Sequence, residues 1–438
     1  MAFRNITGTF DILPDAYAQG GATVYGSAAW RHIEGVVRDV IRRFNFAEIR
    51  TPVFETTELV ARGVGGTTDI VQKEMFAFTK GSTDYVLRPE ITAPVMRAYL
   101  QHNLQQRGGV QKLFYSGPCF RAERPQKGRF RQFHQFGTEM LGSEDPRADA
   151  ETIACMMAVY DAFGITGTRL RINTLGDAES RPRYRQALRD FLAPHADALS
   201  ETSRNRLETN PLRILDTKSP DEQELLVDAP LLIDYVDDES REHYEGVKSF
   251  LGVLGIDFEE DPKLVRGLDY YTLTGFELES TDRGAQSALA AGGRYDGLGE
   301  IIGSKQPVPA VGFAAGYERL FLALEAQGYA IPERDDPAAF LVALGEEAET
   351  WVFAEASRLR AAGLRVGLDV KGRSLKAQMK EANRQGARVA VIVGKDEIAE
   401  GAAQVKDMET GEQRSVPFRD LAEALANAEL QTTNGESQ

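Results

Sequence analysis

The 438-residue chain has only two cysteines, Cys119 and Cys155. They form neither a disulfide framework nor a metal-type pair, which points to a reducing cytoplasm. Its five histidines are scattered, with no His-x-x-x-His or His-Glu-x-x-His spacing. A structural zinc site is therefore not expected. No apolar run is long enough to span a membrane, and the N-terminus lacks an uninterrupted apolar signal region. There is no Gly-x-x-x-x-Gly-Lys-Ser/Thr, so a nucleotide site here is not a P-loop. Gly63-Val-Gly65-Gly66 lacks the Gly-x-Gly-x-x-Gly spacing and a preceding strand, and reads as a flexible loop. Basic residues are outnumbered, 51 Lys and Arg against 66 Asp and Glu, for a net charge of −15. That excludes a chain coated in basic surface but leaves room for a local basic patch.

Hydrophobic residues make up 42% of the chain, which fits a globular protein with a sizeable core. Length alone suggests about three domains. After a polar, turn-rich Thr7–Pro14, residues Ala28–Phe44 predict a helix, with Ile33, Val36, Val37, Val40, Ile41 and Phe44 three and four apart. Glu48–Phe54 predicts a strand, placed at an edge by Pro52. Leu87-Arg-Pro-Glu-Ile-Thr-Ala-Pro opens an amphipathic helix running to about Leu104, with Thr92 as its expected cap. Asp149–Phe163 reads as a helix and Arg169–Asn173 as a strand. From about Asp177 to Gly255 the chain is mostly helical and strongly charged, which reads as an insertion nested in the first domain. The strand pattern resumes over Leu264–Glu277, an apolar and aromatic run carrying Arg266 and Asp269. Gly292 and Gly293 predict a tight turn before Tyr295. From Ala310 a strand runs into a helix with Leu320, Phe321 and Leu324 facing inward. Arg319 falls in its first turn, where a cation opposes the helix dipole by roughly 0.3–1 kcal/mol. A bound phosphate would turn that misfit into a favourable contact.

Residues 326–337 read as a linker. Beyond it, strands at Phe340–Leu344, Leu364–Val370 and Val389–Val393 alternate with helices at Glu346–Ala362 and Ser374–Gln385. That rhythm predicts a partly parallel sheet with crossover helices. Gln404–Met408 and Gln413–Pro417 flank Thr410-Gly411 as a terminal hairpin, and residues 429–438 read as a disordered tail.

The most informative stretch is Gly117–Met140, two strands joined by the basic loop Arg124-Pro-Gln-Lys-Gly-Arg129. Alternation puts Arg121 and Glu123 on one face of the first strand, and Phe133, Gln135, Gly137 and Glu139 on one face of the second. If the apolar faces are buried, Arg121, Glu123, Gln135 and Glu139 share a surface, with Gly137 leaving room for a ligand near the backbone. That surface offers a guanidinium fork for phosphate and carboxylates for an ammonium or imidazole. A merely solvated charged hairpin is the plainer reading. The crowding of Arg121, Arg124, Lys127, Arg129 and Arg131 around the single Glu123 weighs against it, because such a cluster is costly unless an anion is expected.

The run Phe120-Arg-x-Glu-Arg-Pro-Gln-Lys-Gly-Arg-x-Arg-Gln-Phe-His-Gln resembles motif 2 of class II aminoacyl-tRNA synthetases, specifically that of the histidyl-tRNA synthetase family. Its span is about 112–140. Motif 1 is resembled over about 34–61, and motif 3 over about 310–324 by Ala310-Val-Gly-Phe-Ala-Ala-Gly-Tyr-Glu-Arg-Leu. Leu264-Val-Arg-Gly-Leu-Asp-Tyr-Tyr and Ala291-Gly-Gly-Arg-Tyr-Asp-Gly-Leu resemble the family's two histidine motifs. The family usually has glycine where Ile91 stands, and arginine where Thr7 stands. Neither nucleotide-binding signature of class I synthetases occurs.

The resemblance implies an α/β chain whose α+β catalytic core, residues 1–325, is built on a largely antiparallel sheet. A helical insertion at 177–255 is nested in it, and an α/β anticodon-binding domain follows at 338–428. It implies a cytoplasmic homodimer that joins L-histidine to tRNA(His) with ATP, with Mg²⁺ accompanying the nucleotide. By position, Glu90, Ile91, Thr92 and Gln135 would surround the α-ammonium, and Glu139 and Tyr271 would read the imidazole, with Tyr270 and Tyr295 at the pocket wall. Arg121, Arg266 and Arg319 would be catalytic, holding ATP phosphates, with Arg121 and Arg266 also near histidine and Glu123 fixing adenine or a metal. Arg124, Gln126, Lys127, Arg129 and Arg131 would meet the tRNA acceptor end. Two rivals are a non-catalytic relative that regulates ATP phosphoribosyltransferase, which loses motif residues and normally lacks the anticodon domain, and a synthetase for another amino acid.

Overall fold

The structure is a computed structural model that describes residues 3–14, 17–19, 22–66, 68–281, 288–331 and 336–426. The expected tail at 429–438 and part of the expected linker lie outside the described residues. The chain divides into two compact units, Met1–Pro332 and Glu333–Gln438.

The first unit opens with a hairpin of β1 (Tyr17–Gln19) and β2 (Ala22–Val24), then α1 (Ser27–Arg43) and β3 (Ala47–Glu48). A three-stranded sheet follows from β4 (Phe54–Thr56), β5 (Ala77–Lys80) and β6 (Thr83–Leu87), with α2 (Thr57–Val64) between its first two strands. After α3 (Thr92–Gln101) come the long strands β7 (Gln111–Phe120) and β8 (Gln132–Leu141). Helix α4 (Pro146–Ala162) leads to β9 (Thr168–Thr174). Helices α5 (Ser180–Leu192), α6 (Glu201–Thr209), α7 (Pro220–Leu225) and α8 (Asp238–Val253) then precede β10 (Glu259–Glu260). The unit closes with β11 (Thr272–Ser280), β12 (Ala288–Arg294), α9 (Leu298–Ile301), β13 (Ala310–Gly316) and α10 (Tyr317–Ala326).

Eight of these strands form one sheet in the order β10-β9-β11-β12-β13-β8-β7-β3. Its interior pairings are all antiparallel, and only the short outer strands β10 and β3 pair in parallel. One face packs on helices: Ile33, Val37 and Ile41 of α1, Ile153 and Met156 of α4, Val247 and Leu251 of α8 and Leu320 of α10 join Phe136, Met140, Ile172, Phe276 and Phe313 in one core. The spacing of three and four on α1 is thus the buried stripe that periodicity predicts. The other face carries α3 and a second core containing Tyr115, Leu141, Tyr270, Tyr271 and Tyr295. Helix starts are marked in the sequence. Asp145 caps α4 by accepting from the Arg147 N–H at 2.9 Å, with Pro146 at the first helical position, and Asp237 caps α8 by accepting from the Ser240 N–H at 2.8 Å.

Several expectations change. The strand expected over Glu48–Phe54 is two strands in two sheets, because the chain leaves the large sheet after Glu48 and joins the small one at Phe54. Gly63 lies inside α2 rather than in a loop, and Gly65 ends that helix with φ +102°. Arg266, Asp269, Tyr270 and Tyr271 do not lie on a strand; they form an irregular loop ahead of β11. Gly292 and Gly293 make no turn. They sit inside β12, where a side chain on Gly292 would run into the Phe276 ring, 2.5 Å away, and one on Gly293 into Tyr271. The stretch 177–255 divides: residues from Tyr184 to Leu232 gather round a core of their own, whereas α8 packs into the main one.

The second unit follows its predicted rhythm. β14 (Ala339–Ala343), α11 (Glu346–Ala361), β15 (Val366–Leu368), α12 (Leu375–Arg384), β16 (Val389–Val393), α13 (Lys395–Glu400), β17 (Ala402–Asp407) and β18 (Gln413–Pro417) alternate along the chain. The sheet order is β15-β14-β16-β17-β18, parallel around β14 and antiparallel from β16 onward. Helix α13 was not expected.

Candidate active site

A cavity of about 250 Å³ opens on the sheet face away from the packing helices. Antiparallel pairing of β7, β8, β13, β12 and β11 brings residues distant in sequence onto its floor. Of the expected residues, Glu90, Ile91, Thr92, Arg121, Glu123, Gln135, Arg266, Tyr270, Tyr271 and Arg319 line it, as does Arg129 from the basic loop. Arg124, Gln126, Lys127 and Arg131 are not in its wall. Glu139 and Tyr295 lie just beneath it, almost fully buried.

At one end two carboxylates meet an N-terminus of helix. The Glu90 carboxylate accepts from the backbone N–H groups of Thr92 at 2.8 Å and Ala93 at 3.0 Å. Glu90 therefore caps α3, in place of the expected Thr92. The Thr92 hydroxyl is committed elsewhere, donating to Glu139 at 2.7 Å. The Tyr295 hydroxyl donates to the second oxygen of the same carboxylate in a short hydrogen bond. Burial is the main influence on Glu139. It outweighs the stabilising hydrogen bonds of Tyr295 and Thr92, is reinforced by Glu90, and raises the carboxyl to about 8. Burial likewise raises Glu90. Tyr270, Tyr271 and Tyr295 form an aromatic wall, with ring centroids 4.7 to 6.4 Å apart. Gly137 does not leave the expected space, because the Tyr115 hydroxyl and the Phe313 carbonyl fill it. Gln135 accepts from the Cys119 thiol at 3.2 Å.

At the other end stand the guanidinium groups of Arg121, Arg266 and Arg319, with Arg129 of the basic loop also in the wall. Arg121 donates to the Pro89 carbonyl at 3.1 Å and lies over the Phe133 ring. Arg266 donates to Glu277 at 2.9 Å and lies over Tyr271. Arg319 donates to the Ala288 carbonyl at 2.6 Å. Burial, then the like charges of Arg129 and Arg121, lower the Arg319 guanidinium from its usual value. Such a set of desolvated cations favours a polyanionic ligand.

Sequence reasoning missed Glu277 and Glu318. Glu277 of β11 lines the cavity, pairs with Arg266 of the preceding loop and also takes a hydrogen bond from Arg171 of β9 at 3.2 Å. Its signal was a charge sharing the face of Gly275 and Glu279 and alternating with apolar Phe276 and Leu278 along the strand. Glu318 accepts from the His134 N–H at 2.9 Å and meets the His134 ring Nδ1 at 2.9 Å, stitching α10 to β8 beside Arg319. In the loop, Arg129 pairs with Glu123 at 3.0 Å, and Arg131 donates to the Thr7 carbonyl at 3.3 Å. No group of three or more metal-ligating side chains occurs among the described residues.

The mainly antiparallel sheet departs from the parallel sheets of P-loop and dinucleotide folds and, by the family and structural matches that follow, is that of a class II aminoacyl-tRNA synthetase catalytic domain. A family model described as Histidyl-tRNA synthetase matches residues 26–320, and one described as Anticodon binding domain matches residues 338–428. The chain belongs to the histidyl-tRNA synthetase family. It is 48% identical over 427 residues to a histidine–tRNA ligase of Chloroherpeton thalassium, covering 96% of this chain and 97% of the relative. The apo S. aureus histidyl-tRNA synthetase is similar at 36% identity and a TM-score of 0.80, covering 97% of this chain and all of that one. A Bacillus halodurans protein described as an ATP phosphoribosyltransferase regulatory subunit/histidyl-tRNA synthetase shares the fold at 22% identity and a TM-score of 0.60, covering 90% of this chain and 99% of that one.

Proposed function

We infer that this chain is a histidine–tRNA ligase. It activates histidine with ATP and passes the histidyl group to tRNA(His). The observation that carries this reading is the match to a histidine–tRNA ligase along almost the whole chain, in a protein whose cleft joins a buried carboxylate pair to four arginines. In the first step a histidine carboxylate oxygen attacks the α-phosphate of ATP, and the bond to pyrophosphate breaks. In the second the terminal adenosine hydroxyl of the tRNA attacks the histidyl carbonyl, and AMP leaves.

The residue roles are our proposal. Glu90 and Gln135 each have acceptor capacity left after their protein bonds, and the Thr92 oxygen still accepts after donating to Glu139. These three take the α-ammonium, beside buried Ile91. Glu139 and Tyr271 read the two imidazole nitrogens, with Tyr270 packing the ring and Tyr295 orienting Glu139. A side chain without two nitrogens in those places would leave the Glu139 carboxylate short of its ligand donor and the Tyr271 hydroxyl short of its ligand partner, and selectivity follows from that penalty. Arg121, Arg266 and Arg319 hold the phosphates and stabilise the charge that shifts among them. Magnesium bound to ATP supplies further charge neutralisation. Glu123 and Glu277, which pair with Arg129 and Arg266 here, are the cleft carboxylates that would approach it. Arg124, Gln126, Lys127, Arg129 and Arg131 meet the acceptor end.

The same reading takes residues 1–325 as the catalytic domain. Its helical insertion is residues 177–255, of which α8 packs into the main core, and the anticodon domain is residues 338–428. It takes the motif 1 region as the homodimer contact and the cytoplasm as the location. No described helix is long and apolar enough to cross a membrane. The regulatory alternative is less supported, because Arg121, Arg266 and Arg319 are all present in the cleft and an anticodon-domain match follows. Charging of tRNA(His) with labelled histidine, ATP and Mg²⁺ tests the reading. Acid-precipitable histidine is expected, and its absence with folded protein would overturn it.

A further inference from the structure

The loop bearing Arg266, Tyr270 and Tyr271 is tied down from outside the cleft, through Asp269. The Asp269 backbone N–H donates to the Val64 carbonyl at 3.2 Å. Its carboxylate lies against Gly65, where any side chain would collide with it. Two further ties come from the helical module. Arg181 of α5 donates to the Asp269 carbonyl at 3.3 Å. Asn210, just after α6, donates its side-chain amide to the Asp269 carboxylate at 3.2 Å. Asn210 is only 6% exposed, and its Oδ1 is buried without a hydrogen-bond partner. A polar side chain that deep is costly, and its amide reaches away from the module's own core towards the loop. A parallel tie joins Arg213 to Asp69 at 3.3 Å. A cavity of about 30 Å³ where the module meets the loop is lined by Arg181 and Asn210 together with Asp269 and Tyr271.

We propose that the helical module positions the histidine pocket, with Asn210 and Arg181 acting through Asp269 to hold Tyr270 and Tyr271 where they accept the substrate ring. The proposal rests on the reading of the cleft as a histidine site. Linkage makes the effect reciprocal: histidine binding tightens the module, and a partner that shifts the module alters histidine affinity.

The test is histidine-dependent ATP–pyrophosphate exchange by the full chain. Asn210→Ala removes a hydrogen bond to a charged group and is expected to raise KM for histidine about tenfold, leaving KM for ATP within about twofold. Asn210→Asp sets two carboxylates face to face and is expected to be worse. Adding Asp269→Asn restores a donor–acceptor pair with the roles exchanged, and is expected to recover most of the loss. A general loss of structure would lower kcat or raise both KM values rather than KM for histidine alone. The proposal is overturned if Asn210→Ala leaves KM for histidine unchanged or raises both KM values equally, or if the double variant is no better than Asn210→Asp. No exchange by the unsubstituted chain would instead overturn the histidine reading itself.

Discussion

Replacing Glu139 by Gln separates the cost of a buried carboxylate from its use. Gln keeps the shape, and its amide can still exchange hydrogen bonds with the Thr92 and Tyr295 hydroxyls, so the main change is loss of the charge. The Glu139 carboxyl is raised from 4.5 to about 8. The folded chain therefore holds this proton more tightly than the unfolded chain does, and the contribution to stability is greatest below about pH 4.5. It falls as pH rises towards about 8, where the loss is complete. At about 1.36 kcal/mol per pH unit, the penalty for ionised Glu139 is at most about 5 kcal/mol. Glu139→Gln should escape it. Calorimetric unfolding of both proteins at a series of pH values from 5 to about 8.5 measures the difference. The variant is expected to gain stability on the original by a few kcal/mol across that range. It should also lose histidine activation, because a neutral amide cannot balance the imidazole as a carboxylate does. A stability difference that does not change with pH, or normal histidine activation by the variant, would refute the assignment.

Other expectations follow from the same geometry. Arg319→Ala should lower kcat for histidine-dependent exchange by roughly 10²–10³-fold, in line with removal of one transition-state donor, and an unchanged kcat would remove it from the catalytic set. Gly292→Ala forces a methyl group into the Phe276 ring and should cost about 1–3 kcal/mol of stability; an unshifted melting temperature would contradict the tight packing of β11 on β12. Lys127→Ala together with Arg124→Ala should raise KM for tRNA in charging far more than it alters pyrophosphate exchange. The salt dependence of charging should also weaken, because fewer phosphates are neutralised.

The sequence was most legible where one physical signal acted alone. Alternation on β8 correctly separated Phe136, Thr138 and Met140 from Gln135 and Glu139, because one face meets helices and the other a polar cleft. Apolar runs in the second unit likewise marked its strands. Where two signals agreed with different structures, the reading slipped. Tyr270 and Tyr271 carry high strand propensity, yet their run is a loop held by Asp269 contacts with elements far away in sequence. Gly292 and Gly293 look like a turn, but they answer to neighbouring strands that approach too closely for a side chain. Thr92 is a good cap by type, but Glu139, 47 positions away, claims its hydroxyl and leaves Glu90 to cap the helix. Each of these three errors came from a long-range contact that local pattern does not encode.

The most direct measurement is ATP–pyrophosphate exchange with Mg²⁺ and each of the twenty amino acids in turn. Exchange with histidine alone is expected. Exchange with a different amino acid would keep the phosphate end of the cleft and contradict the pairing of Glu139 with imidazole. No exchange with any, from protein shown to be folded, would contradict the enzyme reading itself.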